Sequence, residues 1–204
     1  MWHATPVEIG ILAGATLRQN YNLETINMAW DEKLLTAMDD SKDMSILKIV
    51  FRFAPPVNYS FINDLQRKYP FLDDEYCRFL SITDGASLWM YEFFGSGSLE
   101  MPALEGLMQR WQPNVDKLRV FPFAEYPGGN CIAMRENGEV IQFDFRAESD
   151  TDCTVLAQSF GLFVGNVLMG EDFYSLFDIP ATDLRDNEWT DYLKQKGWLS
   201  KSST

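Results

Sequence analysis

The sequence is poor in the residue types on which most enzyme chemistry depends. A single histidine, His3, stands among 204 residues. It lies in a terminal stretch of the kind that frays. Ser/His/Asp and Cys/His nucleophilic mechanisms therefore have no workable set of partners. Cysteine is equally scarce. Cys77, Cys131 and Cys153 are odd in number and far apart in the chain, which fits neither a disulfide framework nor closely spaced metal ligands, and buried thiols are expected. Basic residues number 17 against 30 acidic, for a net charge of −13. Nucleic acid phosphates and anionic lipids both recruit clustered Lys and Arg, so neither is an expected partner. No apolar run approaches the ~20 residues that span a bilayer. The opening Met1-Trp2-His3-Ala4-Thr5-Pro6 lacks the basic region and long apolar stretch of a secretory leader, so a cytoplasmic protein is expected. Internal repeats, low-complexity tracts and Gly/Ser linkers are absent as well.

What is present is an ordinary globular composition, 46% apolar and 23% charged. A chain of this mass buries roughly 70% of its unfolded surface, enough for a core without metals or disulfides. One domain over residues 1–204 is the expectation. The negative charge is uneven. Between Glu136 and Asp191 there are 13 acidic residues against two basic ones, Arg146 and Arg185, which places −11 of the net −13 in that segment. Such a segment is either a solvated surface kept for solubility or a docking face that steers a basic protein.

Along the chain, Ile26, Trp30, Leu34 and Met38 recur at helical spacing, predicting a helix that ends near Asp39-Asp40. Residues 46–53 fit helical spacing and strand alternation equally well. After Pro55-Pro56, Ser60 is a candidate N-cap for a short helix through Phe61, Ile62 and Leu65, stopped at Tyr69-Pro70. Asp73 or Asp74 suits the positive end of a second helix, which buries Tyr76, Phe79 and Leu80 and stops at Asp84-Gly85. A strand is expected from Leu88 to Phe94, then a loop at Gly95-Ser96-Gly97-Ser98. Pro102 opens a helix with Leu104, Leu107, Met108 and Trp111 on one face, and Pro113 is expected to close it.

The strongest strand signal follows. Asn130 to Arg135 and Glu139 to Arg146 flank Glu136-Asn137-Gly138, and Asn-Gly tolerates the positive φ that a tight hairpin needs. Leu118 to Phe123 should add a neighbouring strand, making a meander. From Thr154, the spacing of Leu156, Phe160, Phe163, Val164 and Val167 predicts a helix up to Gly170 that lies on the sheet. A last helix is expected from Asp186 to Lys196, docked by Trp189, Tyr192 and Leu193 and stopped by Gly197. Helices, then strands, then helices describe an α+β fold with a mainly antiparallel sheet.

A search for chemistry finds little. Neither Gly95-Ser96-Gly97 nor Gly128-Gly129 has the context of a phosphate loop or a dinucleotide fingerprint, and both read as turns. Asp39-Asp40 and Asp73-Asp74 sit where helix ends favour acids. Glu148, Asp150 and Asp152 alternate like the start of a calcium loop, but the required Gly and closing Glu are missing. Trp89, Tyr91, Phe93 and Phe94 lack basic neighbours and read as packing residues rather than a base-stacking platform. No metal or cofactor is expected, and no catalytic residue is assigned.

Five local strings do form a recognisable series. They are Phe71-Leu72-Asp73-Asp74 leading to Thr83-Asp84-Gly85-Ala86, then Phe94-Gly95, Phe121-Pro122-Phe123-Ala124, Gly138-Glu139-Val140, and Ala157-Gln158-Ser159-Phe160-Gly161-Leu162-Phe163. In this order, from about Ile62 to Met169, they resemble the SUKH superfamily, the Smi/Knr-type domains of bacterial immunity proteins and fungal cell-wall regulators. Asp follows Leu72 where the family has Pro, Asp84 stands for Asn and Ala86 for a second Gly. The resemblance implies a SUKH-like core at about 62–169 with extensions over residues 1–61 and 170–204. It also implies a binding domain without a shared catalytic site, which in bacteria blocks a cognate toxin, often a nuclease.

The leading expectation is therefore an immunity protein that binds a basic toxin through an acidic surface. Glu148, Asp150, Asp152, Asp186, Glu188 and Asp191 are the candidate partner contacts, because they are acidic, lie in loops or helix starts, and belong to the charged segment. A regulatory or scaffold module of the Smi/Knr type without a toxin partner is the alternative, and an enzyme built on Asp, Glu or Tyr is a third class.

Overall fold

The computed structural model describes residues 28–44, 47–97, 101–126, 128–177 and 187–200. Its centre is a seven-stranded antiparallel sheet in which every strand lies beside its sequence neighbours, in the order β1 to β7. The strands are β1 Phe51–Phe53, β2 Ala86–Leu88, β3 Tyr91–Phe93, β4 Val120–Tyr126, β5 Asn130–Arg135, β6 Val140–Phe143 and β7 Thr154–Ala157. The helices are α1 Trp30–Asp43, α2 Leu47–Val50, α3 Tyr59–Lys68, α4 Asp74–Ile82, α5 Leu104–Leu118, α6 Phe160–Leu162 and α7 Glu188–Gln195. The α6 turn continues as a π-helix, Phe163–Leu168, and a 3-10 turn covers Glu171–Leu176. The fold is α+β, a meander flanked by helices.

Strand register divides the sheet into two unlike faces. Phe53, Ala86, Phe93, Ala124 and Ile132 are successive cross-strand partners and point into the core. Phe93 meets the rings of Phe79 on α4 and Phe160 on α6 at 5.2 and 6.1 Å. The opposite face carries Arg52, Ser87, Glu92 and Glu125 in one row, continued by Cys131 and Phe143. There α5 lies over the later strands, with Trp111 edge-on to Phe143 at 5.5 Å.

Several expected elements change once pairing is known. Ile46 lies outside the described residues, and residues 47–53 are both things in turn, since α2 gives way to β1 at Phe51. The single strand expected at 88–94 is a hairpin, β2 and β3, turning at Trp89 with φ 56°. The cost of that conformation is offset by seating Trp89 edge-on to Phe173 at 5.1 Å. Pro113 does not end α5. The helix runs on to Leu118, because Asn114 and Leu118 are buried and Arg119, at φ 53°, supplies the left-handed stop. The strand expected from Leu118 starts later and runs longer, as β4 from Val120 to Tyr126. The residue capping α3 is Asn58, whose side chain accepts the Ser60 N–H at 3.0 Å. The helix expected from Thr154 starts at Phe160, since Thr154 and Val155 pair with Gln142 and Ile141 to make β7. Ser159 then caps α6. The Asn137-Gly138 hairpin, the Asp73 cap and the docking of Trp189, Tyr192 and Leu193 match expectation. Ile26 lies outside the described residues. Cys77 and Cys131 are buried and Cys153 is partly exposed.

Candidate functional site

The β6–β7 connection is built around a tight turn held from below. Asn114 on α5 donates to the carbonyls of Ala147 at 2.9 Å and Phe145 at 3.3 Å, and the buried Ala147 methyl plugs the gap beneath. Asp144 accepts the Arg146 backbone N–H at 2.8 Å, and the Arg146 side chain lowers the Asp144 pKa below the usual carboxylate range. With its backbone fixed on both sides, Phe145 projects outward and is 75% exposed, with the Arg146 guanidinium 5.7 Å from its ring centre.

The three acids that follow are gathered by the same loop. Asp152 accepts the N–H of Glu148, the N–H of Ser149 and the Ser149 hydroxyl, each at 3.0 Å. Those donors hold its pKa low, with the Glu148 N–H first. Asp150 meets Arg135 at 3.0 Å and Glu148 meets Lys117 at 3.0 Å. Asp152 thus shapes the loop, while Glu148 and Asp150 face solvent with cationic neighbours.

Beside Phe145 lies a groove of about 510 Å³ lined by Met90, Glu92, Arg110, Trp111 and Tyr126. Its inner wall is Glu125, which accepts the Trp111 indole N–H at 2.7 Å and Arg110 at 2.5 and 2.6 Å. Arg52 and Glu92 close one side at 2.6 Å. Aromatics, Met and Arg over a mixed-charge rim are the residue types enriched where proteins meet.

The strings singled out in the sequence have structural work instead. The Thr83 hydroxyl donates to the Ala54 carbonyl at 2.9 Å and accepts the Ala54 N–H at 3.1 Å. Asp84 is buried and accepts both the N–H and the hydroxyl of Ser96. A side chain at Gly95 would collide with that carboxylate. At the other end, the Gly161 N–H donates to Glu75 at 2.7 Å. Residues 56–166, more than half of the chain, match the SMI1 / KNR4 family (SUKH-1). The chain belongs to this family. No curated protein matches it.

In this SUKH-1 member the sequence-selected acids fall into two places. Glu148, Asp150 and Asp152 share the β6–β7 loop beside the last strand. Glu188 and Asp191 are exposed on α7, which docks at the opposite edge, where Phe51 of β1 meets Trp189 at 4.9 Å and Tyr192 at 5.3 Å. Asp186 lies outside the described residues. Sequence reasoning missed Phe145, because alternation along Glu139 to Arg146 placed it inside a strand that ends at Phe143. It missed the groove because Met90, Trp111 and Tyr126 come from three separate elements. Among the described residues no group of His, Cys, Asp and Glu is arranged to hold a metal ion, and no helix is long and apolar enough to cross a membrane.

Proposed function

We propose that this SUKH-1 chain is a non-catalytic binding domain of the immunity type. It would neutralise a basic protein toxin, such as a nuclease, and the β6–β7 loop with its groove would be the contact surface. One observation carries the reading: Phe145 is 75% exposed on a backbone bonded by Asn114, in the same loop as three acids that follow within seven residues. An exposed aromatic on a fixed backbone loses little entropy on burial, which is what an anchor residue needs. The acids supply the steering. An exposed pair such as Lys117–Glu148 is worth about 0–1 kcal/mol. A partner's cation can therefore replace Lys117 at small cost. Nucleases hold phosphates in cationic grooves, and an acidic protein can occupy such a groove in their place.

The test is binding of the purified chain to the protein encoded beside its gene. Association should slow as salt rises, charge reversal at Glu148 and Asp150 should slow it further, and Phe145→Ala should speed dissociation more than tenfold. Binding that ignores both changes would exclude this surface. A neighbouring gene with no toxin would favour a regulatory module of the Smi/Knr type.

A further inference from the structure

The two edges of the sheet are treated differently. At β1, Phe51 is buried under α7 and packs on Trp189 and Tyr192. At β7, no further strand follows among the described residues. Thr154 and Val155 are exposed, and Val155 retains 44% of its surface. Alongside runs a shallow trough of about 300 Å³, floored by Leu156 and Val167 and bordered by Leu162, which is also 44% exposed. An edge with apolar side chains and unpaired backbone groups is a template for another strand.

Charge decides which strand. Asp152 precedes β7 and Asp172 lines the trough, and neither has an ion pair among the described residues. Arg135, which faces Cys153 just before β7, is engaged by Glu139 and Asp150 at 2.9 and 3.0 Å. A second copy would bring the same acids to the same edge, and like charges brought together oppose pairing. A strand carrying Lys or Arg at its ends and a β-branched residue between them meets Asp152, Asp172 and the Val155–Leu162 surface together.

We propose that β7 binds an extended, basic segment of a partner protein by antiparallel strand addition. This deepens the binding reading above, which it presupposes for its biological role, by naming a second contact beyond the Phe145 loop.

The probe is a short blocked peptide of alternating lysine and valine, added to the full chain. Amide hydrogen exchange should slow at Thr154–Ala157 and not at β1. Val155→Lys should weaken binding at least tenfold with an unchanged melting temperature, and the pair Asp152→Asn with Asp172→Asn should flatten the salt dependence. Because Asp152 also shapes its loop, Asp172→Asn alone serves as the control and should move the salt dependence in the same direction. The same peptide N-methylated at alternate residues should not bind. Equal binding of the N-methylated peptide, or protection elsewhere, would overturn strand addition. So would a peptide-free chain that sediments as a dimer and is split by Val155→Lys, since the edge would then be filled by a second copy. A neighbouring toxin bound normally by Val155→Lys would overturn the β7 contact and leave the binding function standing. Absence of any toxin would remove that function and leave the peptide result as it is.

Discussion

Lys33 of α1 donates to the carbonyl of Gly165 at 2.7 Å, 132 positions away in the chain. A second bond from the same ammonium reaches Met169 O at 2.9 Å, and the Trp198 ring lies 5.6 Å away. A buried cation thus closes the end of the π-helix, where backbone carbonyls lack partners and the helix dipole is negative. It joins α1, the π-helix and the segment after α7, all at or beyond the margins of the family-matched residues.

Replacing Lys33 with Met should cost about 1–3 kcal/mol in urea unfolding, since two carbonyls lose their donor while the cost of burying a charge is removed. Burial depresses the Lys33 pKa below the ordinary 10.5, against an opposing pull from Glu171. In the window between its folded value and 10.5 the unfolded chain binds more protons, so stability from this site rises with pH. The gap between wild type and Lys33→Met should therefore widen as pH climbs towards that value.

Gly165 has no room for a side chain. A Cβ there would sit 2.9 Å from the Trp30 Cβ and 3.2 Å from its Cα. Gly165→Ala gains up to about 1 kcal/mol of helix propensity. Overpacking costs about 1–3 kcal/mol, so net destabilisation is expected, with the Trp30 fluorescence shifted to the red as α1 loosens. Unchanged fluorescence and stability would show that α1 does not depend on this approach.

Asp40 ties α7 to α1, accepting the Tyr192 hydroxyl at 2.8 Å and Lys196 at 2.6 Å. Burial works to raise its pKa, but the bonds from Lys196 and Tyr192 outweigh that and leave it below the ordinary 3.8. The stabilisation is full above 3.8 and is lost as pH falls through the folded value. Asp40→Asn should cost on the order of 1 kcal/mol at pH 7. At strongly acid pH the variant and wild type should unfold together.

The Asp84–Ser96 clasp should tolerate Asn better than Ala. Asp84→Asn keeps one acceptor for the Ser96 N–H, and its amide can donate to the Ser96 hydroxyl. Asp84→Ala strands a buried N–H and should cost roughly 1–3 kcal/mol. Thermal melts of the two variants would rank them.

Thiol labelling should follow exposure. Burial pushes the Cys77 thiol up to about 11 and Cys131 higher still, whereas Cys153 is raised less and is partly exposed. A native chain at pH 8 should label first at Cys153, with Cys77 and Cys131 reacting only after unfolding. Early reaction at Cys131 would mean that the sheet opens locally.

How much could be read in advance depended on the range of the interaction. Asp73 announces a helix start because its carboxylate needs only the Tyr76 N–H, three residues on, at 2.8 Å. Asn137-Gly138 announces a hairpin because the turn is local. Thr154-Val155 could not be told from a helix start, since what makes them a strand is pairing with β6, and Leu88 to Phe94 hid a turn whose Trp89 is held by Phe173 from far along the chain. Pro113 misled in the same way, because its local penalty is outweighed by the burial of Leu118.

The site divides along the same line. Glu148, Asp150 and Asp152 could be picked out as a charged loop, but their partners could not, because Lys117 and Arg135 belong to α5 and β5. Composition, caps, turns and the ordered strings of the family act over a few residues, and they were enough to name the fold and the family. Which acids are paired, which phenylalanine stands in solvent and which strand is left at the edge are settled by register and packing between distant segments. Burial and pairing are properties of neighbours in space, and those neighbours exist only once the chain has folded.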